Sequence, residues 1–109
     1  MVHTITNEQM KNLMLNILFK GKRNIKRTYN NILWFVNKKT TVSEQDLKDA
    51  LDFELQGYTK TGENGENIIF FINKDYTTVD FDAKNYKEGI ELVHQYLMEK
   101  AGWYKTLLK

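Results

Sequence analysis

The sequence predicts an α+β fold: three N-terminal helices, a small antiparallel β-hairpin or three-stranded meander, and a long C-terminal helix. Three observations carry this. Apolar residues recur at helical spacing in three stretches before residue 57 and again after residue 82. Between them, residues 67–81 hold two short runs rich in Ile, Phe, Val and Thr. Thr6, Ser43 and Asp82 stand where helix caps are needed, ahead of three of the four helical stretches. At 109 residues the chain fits one compact domain, 1–109, with no internal repeat and no linker.

The first helix starts at Thr6. Thr6 and Gln9 have capping-box spacing, and Ile5 and Met10 flank them as a hydrophobic staple. Met10, Leu13, Met14, Ile17 and Leu18 share one face, with Leu15 and Phe19 off it. A helix apolar on more than one side packs between two neighbours. Gly21 suits the position just past its end. The second helix runs from Asn24 to Asn37, with Ile25, Tyr29, Ile32 and Val36 as its stripe and Leu33 beside it. The third has the clearest start. Ser43 caps it, Asp46 follows, and Val42 and Leu47 form a second staple. Leu47, Ala50, Leu51 and Leu55 are its buried stripe, and Gly57 ends it.

Residues 67–72 read as a strand buried on both faces, and Tyr76 to Phe81 as an alternating one. Asn73-Lys74-Asp75 connects them as a hairpin. Gln56 to Lys60 offers a third strand, joined through the turn-forming residues Thr61 to Glu66. Asp82 caps the last helix, and Phe81 and Tyr86 staple it. Its stripe is Tyr86, Ile90, Val93, Leu97 and Ala101, which Tyr104 and Leu108 would extend. Gly102 breaks it and leaves Trp103–Lys109 as a short extra turn or a docked tail.

Composition removes several function classes. There is no Cys, so a disulfide framework, a thiolate metal site and a Cys nucleophile are excluded. No apolar run approaches the roughly 18 residues of a membrane span, and no signal peptide opens the chain. The expectation is a cytoplasmic protein with no membrane contact. Catalytic constellations are thin. His3 lies in a frayed start, and His94 sits at the margin of an apolar stripe without a predictable acid partner. Ser43 is explained by capping rather than nucleophilic chemistry. Gly62-Glu63-Asn64-Gly65 is a turn that lacks the Lys-Ser/Thr of a phosphate loop. Glu44 and Lys48 read as ordinary i,i+4 surface support. No enzyme, metal or cofactor is expected.

Charge is more telling. The net charge is only +2, but it is split along the chain. Residues 1–42 hold eight Lys and Arg against one acid, and residues 44–82 hold ten acids against three Lys. Such poles steer a charged partner to one of them. The basic pole is concentrated in Lys20, Lys22, Arg23, Lys26, Arg27, Lys38 and Lys39, with Tyr29 and Trp34 among them. At 100° per residue, Trp34 lies opposite the apolar stripe of its helix. Trp is highly buried on average, so cover by the Trp103-Tyr104 tail or by a dimer mate is the first expectation. Left uncovered, an indole among cations stacks on a base or anchors a protein partner.

Three helices followed by a hairpin resemble a winged-helix domain, with Ser43 to Leu55 as the recognition helix and residues 57–72 as the wing. The outward face of that helix would be Glu44, Gln45, Lys48, Asp49 and Asp52, and the wing would carry Glu63 and Glu66. Both would be repelled by a major groove. From residue 43 onward the order helix, three strands, helix is similar to a double-stranded RNA-binding domain. That family contacts phosphates from the basic start of its last helix, and here that start is Asp82-Ala83-Lys84-Asn85-Tyr86-Lys87.

Two function classes follow. The first is a small non-enzymatic regulator or inhibitor that binds another protein. Its acidic region, Glu44, Asp49, Asp52, Glu63 and Glu66, would occupy a nucleic-acid-binding surface of that partner. The alternative is nucleic-acid binding through the basic helix around residues 20–39, with Arg23, Lys26, Arg27, Lys38 and Lys39 on phosphates and Trp34 or Tyr29 stacking. Lys outnumbers Arg 14 to 2, as AT-rich codons dictate, which suggests an AT-rich bacterium or a phage or plasmid of one. Leu15, Phe19, Trp34, Phe53 and Leu92 lie off their helices' main stripes, which leaves room for a homodimer.

Overall fold

A computed structural model describes the backbone of residues 2–71 and 77–109, and the side chains of residues 4–69 and 78–109. The elements run β1 (Val2–Thr4), α1 (Asn7–Phe19), α2 (Lys22–Asn37), α3 (Glu44–Gln56), β2 (Thr59–Thr61), β3 (Asn67–Phe71), β4 (Thr77–Phe81), α4 (Ala83–Lys100) and α5 (Gly102–Lys105). This is the α+β order that the sequence predicts, with one strand added. His3 belongs to β1, which pairs in parallel with β4, so the N-terminus is not frayed as expected. Sheet order is β1-β4-β3-β2, with both other pairings antiparallel. The connection Asn73-Lys74-Asp75, with Ile72 and Tyr76 beside it, lies outside the described residues.

The predicted caps form. Thr6 and Gln9 make a reciprocal capping box at α1, and Ser43 and Asp46 make another at α3. Asp82 accepts from the Asn85 amide at α4. Each box satisfies two of the amides that a helix start leaves orphaned. Gly21, at φ 83°, makes the corner between α1 and α2, a conformation that a side chain would strain. Across that corner the buried Thr28 hydroxyl donates to the Leu18 carbonyl at 2.7 Å. That carbonyl is one of the last of α1 and has no partner within its own helix. The bond therefore sets how α2 leaves α1.

The core is one cluster. Met10, Met14, Ile17 and Leu18 of α1 meet Leu47, Leu51 and Leu55 of α3 and Ile90, Val93 and Leu97 of α4. Ile69 and Val79, paired across β3 and β4, add the sheet's inner face. Ile68 and Ile69 are both buried, so β3 is covered on both sides there, as its apolar run predicts. Gly89 lets α4 lie close against α1: a Cβ at this position would collide with Met10 Cγ and lie 3.0 Å from Met14 Sδ.

The tail is docked. Val42 and Lys109 exchange backbone hydrogen bonds of 3.1 and 3.2 Å, which pins the end of the chain to the α2–α3 loop. Tyr104 of α5 is fully buried, and Trp103 packs edge-on to Tyr29 with centroids 5.1 Å apart. Among the described residues, no helix is long and apolar enough to cross a membrane.

Candidate functional site

α2 is basic because of its exposed positions, not its buried ones. Thr28, Ile32 and Val36 face the core. Arg23, Lys26, Arg27, Asn30, Asn31, Asn37 and Lys38 are all exposed. Trp34 sits among them with 67% of its surface in solvent. The Trp103-Tyr104 tail does not cover it, because Trp103 packs on Phe19 and Tyr29 instead. Tyr29 is thereby half-buried and taken from the candidate stacking residues. Ile25 departs from the predicted stripe too. Ile25 is 44% exposed and lines a groove shared with Leu15, Phe19, Tyr96 and Trp103.

The cations of this face differ in their engagement. Among the described residues, Arg23, Lys26 and Lys38 have no ion-pair partner. Arg27 donates to the Tyr58 hydroxyl and stays exposed. Lys39 turns away, pairing with Asp46 at 3.5 Å. On the flank towards α3, Asn31 donates to both oxygens of Glu54 at 2.9 and 3.1 Å. Phe35 meets Phe53 with centroids 5.8 Å apart, and Phe53 remains 60% exposed. The result is one helix face with unpaired cations along it and two solvent-facing aromatic rings at its centre and edge.

The acidic residues are not one free surface. Glu44 accepts from His94 Nε2 at 2.9 Å, while His94 Nδ1 lies 2.7 Å from the Tyr104 hydroxyl. A carboxylate can only accept, so Nε2 carries the proton, and in the neutral ring Nδ1 accepts from Tyr104. This three-residue chain joins α3, α4 and α5. The sequence offered no acid partner for His94 because Glu44 lies 50 residues away. The ring is wholly buried and presents no atom to a substrate. The expected Glu44–Lys48 pair is replaced: Lys48 reaches Glu91 of α4 at 2.7 Å.

Asp49 accepts from Gln45, and Asp52 accepts from the Tyr86 hydroxyl at 2.9 Å. Asp49, Asp52 and Glu91 line a groove of about 300 Å³ between α3 and α4, with Lys48 and Lys87 among them. Glu63 and Glu66 belong to the β2–β3 turn, and Glu66 accepts the Asn64 amide at 2.9 Å. Glu44 opens α3, whereas Glu63 and Glu66 come after the far end of that helix and after β2.

Burial and the neighbouring Asp52 carboxylate push the Tyr86 hydroxyl well above its ordinary value. Burial, with the charges of Glu44 and Glu91, does the same for Tyr104. The Ser43 amide holds Asp46 below the usual carboxylate range, and the Lys48 ammonium does so for Glu91. Among the described residues, no group of three or more His, Asp or Glu side chains is placed to hold a metal ion. Comparison with protein-family models, curated proteins and solved structures gives no match, so the chemistry of these two faces carries the functional reading alone.

Proposed function

We propose that this protein binds nucleic acid through the exposed face of α2. The observation that carries the reading is Trp34, 67% exposed on the same helix as the exposed Arg23, Lys26, Arg27 and Lys38. Solvent exposure of a large indole is unfavourable unless something covers it part of the time. The chemistry around it suits a polyanion. Phosphates displace condensed counterions as they meet each Lys or Arg, which gives affinity with a steep salt dependence. Contacts of this kind position a strand without reading its sequence. Such a protein would act in the cytoplasm of an AT-rich bacterium or of a phage or plasmid host.

The direct test is Arg23→Ala with Arg27→Ala, titrated against labelled DNA and RNA. Affinity should fall for every sequence tested, and the slope of log K against log salt should shrink by about 2. Unchanged affinity in the double variant would remove the reading.

A second reading is favoured by one observation, the shared groove of Asp49, Asp52 and Glu91. In it the protein is a regulator or inhibitor whose acidic side occupies the basic nucleic-acid channel of a protein partner. Neutralising Asp49, Asp52 and Glu63 together should then abolish partner binding, and intact binding would exclude it.

A further inference from the structure

We infer that the α2 face selects single-stranded nucleic acid, with Trp34 and Phe53 as stacking rings and Arg23, Lys26, Arg27 and Lys38 on one line of phosphates. This deepens the reading of α2 as a phosphate-binding surface and rests on it.

Two features of the structure separate a single strand from a duplex. The first is the aromatic pair. Phe53 packs on Phe35, the chain neighbour of Trp34, and both Trp34 and Phe53 turn most of their surface to solvent. Rings presented this way stack on bases, and a base offers its face only when it is unpaired. In a duplex groove the same indole would meet base edges, with a single N–H to offer them.

The second feature is the charge of the flank. A helix in a major groove about 12 Å wide has a row of phosphates on either side. On the α3 side of this face stand Glu54, bonded to Asn31, and Asp46, bonded to Lys39. A second row of phosphates would be brought against those carboxylates, whereas a single strand can follow the cations of α2 alone. From Arg23 to Lys38 the helix rises about 22 Å. That length suits the low end of the roughly 4–16 nucleotides that small single-strand platforms engage.

The experiment titrates the protein with oligo(dT), oligo(U) and a DNA duplex, each about 12 nucleotides long. Anisotropy and indole fluorescence are followed at low and physiological salt. Single strands should bind more tightly than the duplex and quench the indole signal. Trp34→Phe should lose the quenching, with Trp103 left as an internal reference. Trp34→Ala should weaken single-strand binding roughly 5- to 150-fold, with the salt slope unchanged, because it removes a stacking ring and no charge. Phe53→Ala should act in the same direction. The dT and U arms distinguish DNA from RNA as the source of the strand.

Duplex binding as tight as single-strand binding, with Trp34→Ala neutral, would overturn this inference and leave the phosphate-contact reading standing. No binding of any oligonucleotide at low salt would overturn both. Binding of poly-glutamate in place of every oligonucleotide would assign the face to an acidic protein and also overturn both.

Discussion

The exposed face of α2 and the acidic side built on α3 and α4 carry opposite charge, but the larger difference is in what the charges do. The acidic carboxylates are mostly engaged inside the molecule. Glu44 holds His94, Asp46 caps α3, Asp52 holds Tyr86 and Glu91 holds Lys48. On α2, Arg23, Lys26 and Lys38 have no ion-pair partner among the described residues. The comparison teaches that a charged surface is not by its charge alone an available one. Acids that tie helices together contribute to the fold. Cations left free, with an uncovered indole between them, stabilise no internal contact and are open to a partner.

The comparison can be broken most severely at His94. His94→Ala should cost about 2–4 kcal/mol in a denaturant titration, because it opens a cavity and leaves Tyr104 without its partner. A loss below about 0.5 kcal/mol, the range of ordinary surface substitutions, would mean that Glu44 is as free as Lys38. Gly89→Ala tests the α1–α4 contact that supports both regions, and should cost about 1–3 kcal/mol through overpacking against Met10. Tyr104→Phe keeps the shape and removes only the hydroxyl. It should cost about 1–2 kcal/mol, with the buried His94 Nδ1 left unsatisfied.

Stability against pH sharpens the same contrast. Tyr86 and Tyr104 hold their protons in the fold where the unfolded chain releases them, above about pH 10. Stability should be full below that pH and fall as pH rises beyond it, and Tyr86→Phe with Tyr104→Phe should flatten the fall. Asp46 and Glu91 act in the opposite direction. Their lowered values stabilise the fold above the ordinary carboxylate range, and that contribution is lost as pH drops through them. Thermal melts from neutral to acid pH should show the loss, and Asp46→Asn should reduce it. The smallest effect belongs to α2. Lys26→Ala and Lys38→Ala should each leave stability within about 0.5 kcal/mol while weakening oligonucleotide binding. A stability loss beyond that range would show that these cations have a structural role after all.

Much of the fold is legible in the residues. Thr6, Ser43 and Asp82 cap the helices they were expected to cap. The stripes of α1 and α3 are buried as their spacing predicts, and in α4 the line of Ile90, Val93 and Leu97 is buried too. β1 was not legible, because three residues on a parallel edge carry no periodicity and their partner β4 lies some 75 residues away. Of the residues off the main stripes, Leu15, Phe19 and Leu92 are half-buried, while Trp34 and Phe53 stay exposed. Nothing in their spacing distinguishes the two outcomes.

The candidate site divides the same way. Arg23, Lys26, Arg27 and Lys38 could be assigned to one outer face from helical geometry alone, and Trp34 with them. Whether the C-terminal tail covered Trp34 depended on where Trp103 landed, and it landed on Tyr29. The sequence by itself determined the four long helices, three of their caps, the β3–β4 pair and the division of charge, since these follow from short-range periodicity and from counting. The tertiary structure decided which charges were paired and which rings were left in water. Those outcomes depend on contacts such as Glu44 with His94, made across 50 residues by the packing of separate helices, and no local pattern encodes them.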